Sequence, residues 1–471
     1  MKLPTFRTIM TKYDAILVGA GQAGTPLARK LAVAGWKTAL IERLWVGGTC
    51  VNVGCTPTKT MIASGRVAYL VKRSAEFGIR TSGFAVDVET FLRRKNSVVL
   101  AFRGGSTKGL LKTPNLSLIF GTASFSGPKE ITVVKEDGTS EIMSADHIFL
   151  NTGAQPFDPP IPGIDKIPYL TSTTILDLGE IPTHLAIIGG GYVGLEFGQL
   201  YRRLGSQVTI IESHATFLPH EDDDIAKEIR HILEEDGIQI FTGTNIKGVT
   251  RGDGIRLDLE KPATEGAASS WAVTASHVLE ASGRRPDTAA LNTAAAGIRL
   301  DEHGYIAVNG QLETSVPGIF ALGDVKGGPQ FTHVSWNDHL IVYKNLIEKT
   351  KLSIEGRVPL YCLFTDPELG RVGLTENEAR AKGLNIKVAT MPAAYVARAY
   401  ENSETRGLLK VIVNADNRKI LGAAMLISGG GELMSVIQMA MTGGVTYDIV
   451  RDAMYAHPTF AESLNNLFAK L

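Results

Sequence analysis

The chain has 471 residues, 44% of them hydrophobic and 20% charged, and its 48 basic and 48 acidic side chains give a formal net charge of +0. That length exceeds one compact core and suggests about three domains of roughly 150 residues, while the neutral charge gives no electrostatic drive toward nucleic acid or an anionic membrane. No apolar stretch is long and unbroken enough to span a bilayer, and the basic start (Lys2, Arg7, Lys12) lacks an apolar core of the signal-peptide kind, so the chain reads as cytoplasmic.

The first predicted strand begins near Tyr13, which would let Met10 serve as a start. Residues 14–42 read DAILVGAGQAGTPLARKLAVAGWKTALIE: an apolar strand, a glycine turn at Gly19, Gly21 and Gly24, a helix, and a second strand ending in Glu42. This is the dinucleotide fingerprint. The first glycine makes the tight turn, the second lets backbone approach a pyrophosphate, the third lets helix pack on strand, and the acid accepts hydrogen bonds from a ribose. The helix N-terminus adds free N–H groups and partial positive charge for the phosphates.

Five residues further on, residues 47–59 read GGTCVNVGCTPTK, with Cys50 and Cys55 forming a close pair. The whole chain has 3 cysteines. A reducing compartment does not favour structural disulfides, so close pairing points to redox chemistry or a metal. No second Cys or His pair lies nearby to complete a zinc site. On a regular helix, residues i and i+5 have Cα atoms roughly 8–9 Å apart, whereas a disulfide needs about 4.4–6.8 Å. The segment is therefore expected to be distorted, at Gly54 and Pro57, and a bond formed there is expected to be reactive.

A strand is predicted over 147–152, and the Pro-rich stretch 156–163 (PFDPPIPG) reads as a linker. Residues 184–212 then repeat the first fingerprint without a gap. Gly189, Gly191 and Gly194 take the places of Gly19, Gly21 and Gly24, and Glu212 that of Glu42. Two such sites imply two dinucleotides, most simply FAD and a nicotinamide nucleotide. Ser213, His214 and Ala215 follow Glu212 with no arginine, which favours NADH over NADPH. The acidic run Glu221–Asp224 reads as the solvated first turn of a helix and not as a metal site. A strand is expected over 318–322, and Cys362, among apolar neighbours in a further strand, reads as a buried inert thiol.

Five motifs in fixed order, GGTCVNVGCTPTK, the two fingerprints, ALGD at 321–324 and HPTFAE at 457–462, together resemble the class I pyridine nucleotide-disulfide oxidoreductases. That family includes glutathione reductase, dihydrolipoamide dehydrogenase and mercuric reductase. The C-terminal ESLNNLF adds a likeness to its mercuric-reductase-like and reactive-chlorine-resistance branch. The resemblance implies an α/β fold with two Rossmann-like dinucleotide-binding domains and a C-terminal α+β dimerisation domain. The divisions would be 1–155 for FAD, 156–284 for NAD(P), 285–352 for the return to the FAD domain, and 353–471 for the interface.

Carried over residue by residue, it implies FAD on Gly19, Gly21, Gly24, Glu42, Gly48 and Thr49, with Ala123, Thr152 and Gly153 nearby and Asp324, after Gly323, on the ribityl chain. Lys59, paired with Glu196, would sit by the flavin. Tyr192 would cover the flavin until nicotinamide displaces it. Gly283 and Arg284 would open the return strand. Cys55 would be the thiolate held against the flavin and Cys50 the interchange thiol. His457, oriented by Glu462 and supplied by the other subunit of a homodimer, would be the base. The expected activity is transfer of electrons from NADH or NADPH through FAD and the Cys50–Cys55 disulfide to a small disulfide or a metal ion. Dihydrolipoamide oxidation is an alternative, as is an NADH-responsive sensor. Mercuric ion turnover is not expected, since no cysteine pair stands near the C-terminal NNLFAKL.

Overall fold

Short runs of buried apolar residues ending in glycine set the frame. In the computed structural model, which describes residues 10–263 and 268–471, each fingerprint folds as strand, helix and strand. Lys2 and Arg7 lie outside the described residues. The first copy is strand Thr11–Val18, helix Gly24–Val33 and strand Thr38–Glu42. The second is strand His184–Ile188, helix Tyr192–Leu204 and strand Gln207–Ile211. Both strand pairs are parallel, Ala15 opposite Thr38 in one and Gln207 opposite His184 in the other. Ala15–Val18 and Leu185–Ile188 are buried throughout, as strands covered on both faces must be.

Contacts divide the chain into two compact units. The first holds residues up to Thr60, Leu92–Phe157 and Gly283–Arg357. Its main sheet runs Leu116–Phe120, Thr38–Glu42, Thr11–Val18, Ser140–Leu150 in parallel, then Glu130–Val134 and Thr122–Gly127 antiparallel, with Ile319–Ala321 parallel to the end of Ser140–Leu150. The loops that follow three of these strands, Gly19–Gly24, Asn151–Gly153 and Leu322–Asp324, therefore leave the sheet from one edge. The carboxyl edge of a parallel sheet is where such folds bind ligands.

The second unit holds Met61–Phe91, Asp158–Ser282 and Val358–Leu471. It has a parallel sheet in the order Ile238–Phe241, Gln207–Ile211, His184–Ile188, His277–Glu280, Leu170–Thr171. Its C-terminal part is an antiparallel sheet, Leu360–Leu363, Glu368–Gly373, Ile420–Ile427, Leu408–Asn414, Ile386–Pro392. The chain leaves the first unit inside the Pro-rich stretch, after Phe157, and returns at Gly283. A two-stranded ribbon, Ala154–Pro156 against Arg284–Pro286, ties exit to return.

The stretch 61–91, assigned by sequence to the first domain, groups with the second unit. Arg66 and Arg73, on helix Cys55–Arg73, pair with Asp366 and Glu404 there. Among the described residues no helix is long and apolar enough to cross a membrane.

Candidate functional site

In the first unit the fingerprint loop is built around Asn151. Its Oδ1 accepts the Gly24 N–H at 2.9 Å and its Nδ2 donates to the Leu322 carbonyl at 2.8 Å. One buried amide thus joins the loops at the ends of three strands. Gly19 has φ +101, and a Cβ there would stand 2.3 Å from the Asn151 carbonyl oxygen, so no other residue fits. Glu42 accepts the Ala20 N–H and the Leu44 N–H, each at 2.8 Å. Gly48 packs on Gly21 so closely that a Cβ would meet the Gly21 Cα at 2.7 Å. Thr49 follows in the short helix Gly48–Val53, and Gly153 has φ +76.

Ala123 turns its side chain into the core, which leaves only its backbone to address a ligand. Gly323 donates its N–H to buried Asp338 at 2.8 Å. Burial pushes the Asp324 carboxyl up, against the pull of Arg284 and Lys326. The Thr152 hydroxyl is buried without a hydrogen-bond partner, which is costly unless a bound group supplies one. These residues fit FAD: a glycine cradle, an acid at the strand end and an orphaned hydroxyl at the sheet edge.

The second unit repeats the plan. Glu212 accepts the Gly190 N–H at 2.7 Å, as Glu42 does that of Ala20, and also the His214 N–H at 2.7 Å. Burial alone would raise its carboxyl, but the hydrogen bonds from His214 and Gly190 outweigh it and hold it below the ordinary carboxylate range. Gly194 would put a Cβ 2.2 Å from the Gly189 carbonyl, so the packing of the loop demands it. Gly191 differs. Its φ is −79 and a Cβ there would meet nothing within 4 Å. Neither backbone nor packing demands that glycine, and it leaves room for a group to approach the backbone closely. Tyr192 opens the helix directly after it. Glu196 accepts the Phe364 N–H at 3.0 Å. Lys59 lies in the first unit, one helical turn after Cys55, and Glu196 in the second.

Cys50 and Cys55 fall on two helices, Gly48–Val53 and Cys55–Arg73, broken at Gly54 with φ −139 and ψ −119. The distortion expected from spacing is there. A Cβ at Gly54 would stand 2.9 Å from the Thr49 carbonyl oxygen. Both cysteines are thiols. Cys55 occupies the first position of a 19-residue helix with no acid in its first turn, where free N–H groups favour the anion. Its Sγ lies 3.4 Å from the Thr332 hydroxyl. The Cys50 thiol is pushed far up by its hydrogen bond to Cys55, then by burial and by the Cys55 charge, with Thr332 and Lys59 opposing. The balance of these causes runs against ionisation of Cys50. Half-buried Arg284, whose side chain donates to the Ala154 carbonyl, has its charge near Asp324 and Cys55. The Gly283 carbonyl accepts the Phe157 N–H at 3.1 Å.

In the second unit His457 Nδ1 lies 2.9 Å from Glu462 Oε2, and the imidazole is 67% exposed. The carboxylate orients the ring and leaves most of it exposed. Two readings need correction. Cys362 stands in the strand Leu360–Leu363 as expected, but it is half-buried, its sulfur set against Gly431. The acidic run does start a helix, Asp223–Glu235, but Glu221 and Asp222 are not solvated. Arg371, itself buried, needs counter-charge and takes it from Asp222 at 3.0 Å.

Residues 13–338 match the pyridine nucleotide-disulphide oxidoreductase family, and residues 360–468 match that family's dimerisation domain. The chain belongs to the pyridine nucleotide-disulphide oxidoreductases. It is 40% identical to the probable pyridine nucleotide-disulfide oxidoreductase RclA of Escherichia coli (strain K12), over 98% of this chain and 99% of that one. The Cu(II) complex of the HOCl-induced flavoprotein disulfide reductase RclA from Escherichia coli superposes with a TM-score of 0.88 at 38% identity, covering 98% of this chain and 100% of that one. A dihydrolipoyl dehydrogenase of Thermus scotoductus is 36% identical over 97% of this chain and 96% of its own. A mercuric reductase of Staphylococcus aureus is 35% identical over 96% of this chain and 81% of its own.

This pyridine nucleotide-disulphide oxidoreductase is thus an FAD-dependent enzyme of mixed α/β fold that uses a pyridine nucleotide. Three residues of its site escaped the sequence reading: Asn151, Thr332 and Asp338. Asn151 directly precedes Thr152–Gly153, and an amide at the carboxyl end of a strand beside glycines was the one available signal. Thr332 and Asp338 are ordinary helical residues until the fold brings them to Cys55 and Gly323.

Proposed function

We propose that the enzyme reduces a small disulfide or a metal ion at the expense of NADH, with Cys50 and Cys55 as its redox pair. FAD, held in the glycine cradle of the first unit, would supply the chemistry that takes a hydride from the nicotinamide nucleotide and gives two electrons to the disulfide. Reduction of the Cys50–Cys55 bond by two electrons and one proton leaves a Cys50 thiol and a Cys55 thiolate, and the opposed environments of the two sulfurs support that division. His457 takes the Cys50 proton, with Glu462 holding the imidazole. The Cys50 thiolate attacks one sulfur of the substrate disulfide, and the leaving thiolate takes the proton back from His457. The Cys55 thiolate then attacks Cys50, restoring their disulfide and releasing the second substrate sulfur as a thiolate, which takes its proton from solvent. Gly19, Gly21, Gly24, Gly48, Glu42, Thr152 and Asp324 would hold FAD; Gly189, Gly191, Gly194 and Glu212 would hold the nicotinamide nucleotide.

NADH is favoured because Glu212 is kept ionised where a ribose 2′-phosphate would add like charge. A homodimer, with His457 serving the partner's dithiol, is supported by the dimerisation-domain match and the exposed imidazole. The four-part division 1–155, 156–284, 285–352, 353–471 and a cytoplasmic location belong to the same reading. The observation that carries it is the placement of Cys50 and Cys55 on either side of the helix break at Gly54, with Cys55 opening a fresh helix and its Sγ 3.4 Å from the Thr332 hydroxyl. Cys50→Ser is expected to lower NADH-dependent reduction of disulfides, Cu(II) and Hg(II) by roughly 10²-fold or more while NADH still reduces the flavin. Retained turnover with every acceptor would refute it. The metal-ion option is supported by the RclA relative, solved as a Cu(II) complex. Dihydrolipoamide oxidation is the second reading, supported by the 36% identical dihydrolipoyl dehydrogenase and the His457–Glu462 pair. NAD-linked oxidation of dihydrolipoamide at a rate matching the reductase reaction would favour it.

A further inference from the structure

Each glycine loop packs against the end of a neighbouring parallel strand, Ser140–Leu150 in the first unit and His277–Glu280 in the second. Leu150 stands opposite Val18, and Glu280 opposite Ile188. The next residue in each donates its N–H across the pair at 2.8 Å, Asn151 to the Val18 carbonyl and Ala281 to the Ile188 carbonyl. Residues 150–153 (LNTG) therefore correspond to 280–283 (EASG). The loops close on them alike. A Cβ at Gly19 would meet the Asn151 carbonyl oxygen at 2.3 Å, and one at Gly189 the Ala281 carbonyl oxygen at 2.6 Å.

The backbones match but the side chains do not. Asn151 holds the Gly24 N–H, and Ala281 at the same place has no amide to offer. The Thr152 hydroxyl has no hydrogen-bond partner among the described residues. Its counterpart Ser282 donates both its hydroxyl and its N–H, the latter at 2.7 Å, to Glu280 Oε1. Glu280 stands where the first unit has Leu150 and is 1% exposed. Its Oε2 has no hydrogen-bond partner among the described residues. Burial pushes its carboxyl up, against the pull of the two Ser282 bonds. A buried carboxyl with an idle oxygen destabilises a fold in which leucine serves at the equivalent place. Its local effect is to turn the two donors of exposed Ser282 inward.

The two sites are asked to hold their ligands differently. FAD stays through every turnover, whereas a nicotinamide nucleotide has to leave after each one. We propose that Glu280 sets the affinity of the second dinucleotide site, by withholding the Ser282 hydroxyl and N–H from the bound nucleotide and so keeping that nucleotide exchangeable. This rests on the reading of Gly189–Gly194 as a nicotinamide nucleotide site. A purely structural Glu280 has the opposite signature, since its removal would loosen the turn on which Gly189 packs and weaken binding. Withheld donors predict tighter binding once the acceptor is gone. Two donors at the carboxyl edge of the sheet then become free for ribose or phosphate oxygens.

The test is equilibrium titration of the oxidised holoenzyme with NAD+. Glu280→Leu, which copies the first unit, is expected to lower the Kd about tenfold. Glu280→Gln keeps an acceptor for Ser282 and is expected to stay within about twofold of wild type. Ser282→Ala is expected to change little by itself and to remove most of the gain in Glu280→Leu. An unchanged or raised Kd in Glu280→Leu would overturn the proposal. So would equal tightening by Glu280→Gln, which would trace the effect to lost charge. Should Glu280→Leu not fold, a Kd raised about tenfold by Ser282→Ala alone would also overturn it, because the hydroxyl would already reach the nucleotide. Wild-type enzyme whose flavin no nicotinamide nucleotide reduces would instead sink the second-site reading, and the role of Glu280 with it.

Discussion

Glu42 and Glu212 do the same thing in two places. Glu42 ends the second strand of its fingerprint and Glu212 directly follows its own, and each uses one oxygen to accept an N–H of its glycine loop, from Ala20 and Gly190. The loop is thereby fixed before any ligand arrives, and remaining lone pairs stay available for ribose hydroxyls. At Glu212 this bears on specificity. Its hydrogen bonds keep it ionised, so a phosphate on the ribose meets a full negative charge. Glu212→Ala is expected to cut the preference for NADH over NADPH by about tenfold. Comparing kcat/KM for the two nucleotides in wild type and variant measures it. An unchanged ratio would mean that Glu212 does not read the ribose.

At the scale of elements, the redox pair depends on one broken helix and on one helix that brings a hydroxyl to it. The break at Gly54 lets Cys55 start a fresh helix and take its free N–H groups, while helix Thr332–Ile347 brings Thr332 to the Cys55 sulfur. The same helix carries Asp338, which holds Gly323, and His339, which is fully buried. Burial, with Lys30 adding to it, lowers the His339 imidazole from 6.5 to about 4. Its folded-state value lies below its unfolded one, so between those two the unfolded chain binds the extra proton. Stability from this group is therefore intact above about pH 6.5 and falls as the pH drops toward 4, by roughly 3 kcal/mol in all. His339→Leu is expected to flatten that part of the stability–pH curve, followed by chemical denaturation at several pH values. Parallel losses in wild type and variant would place the acid sensitivity elsewhere.

At the scale of the whole molecule, catalysis is expected to need two chains. His457 is oriented by Glu462 but exposed on its own chain. Mixing Cys50→Ser and His457→Ala subunits through a dissociation and reassociation step is expected to restore about a quarter of wild-type activity, because half of the dimers carry one intact site. No recovery would mean that His457 acts on its own chain or not at all.

What could be read in advance follows the distance along the chain. The repeat, its acids and the distortion at Gly54 are local patterns, each complete within about thirty residues, and local chemistry specifies them. Asn151 lies 127 residues from Gly24, Thr332 lies 277 from Cys55, and Arg371 lies 149 from Asp222. Nothing near Glu221 or Asp222 announces a buried cation, so the pair read as a solvated helix start. Their burial is a property of the tertiary fold.

The central claim is that Cys50 and Cys55 exchange electrons with a bound flavin. Anaerobic titration of the holoenzyme with dithionite and with NADH, followed by its absorption spectrum, tests it most directly. Uptake of about four electrons per flavin, with a long-wavelength thiolate-to-flavin band after the first two, is the result expected of a coupled pair. Uptake of about two electrons, with simple bleaching of the flavin, would contradict it and leave the cysteines outside the reaction.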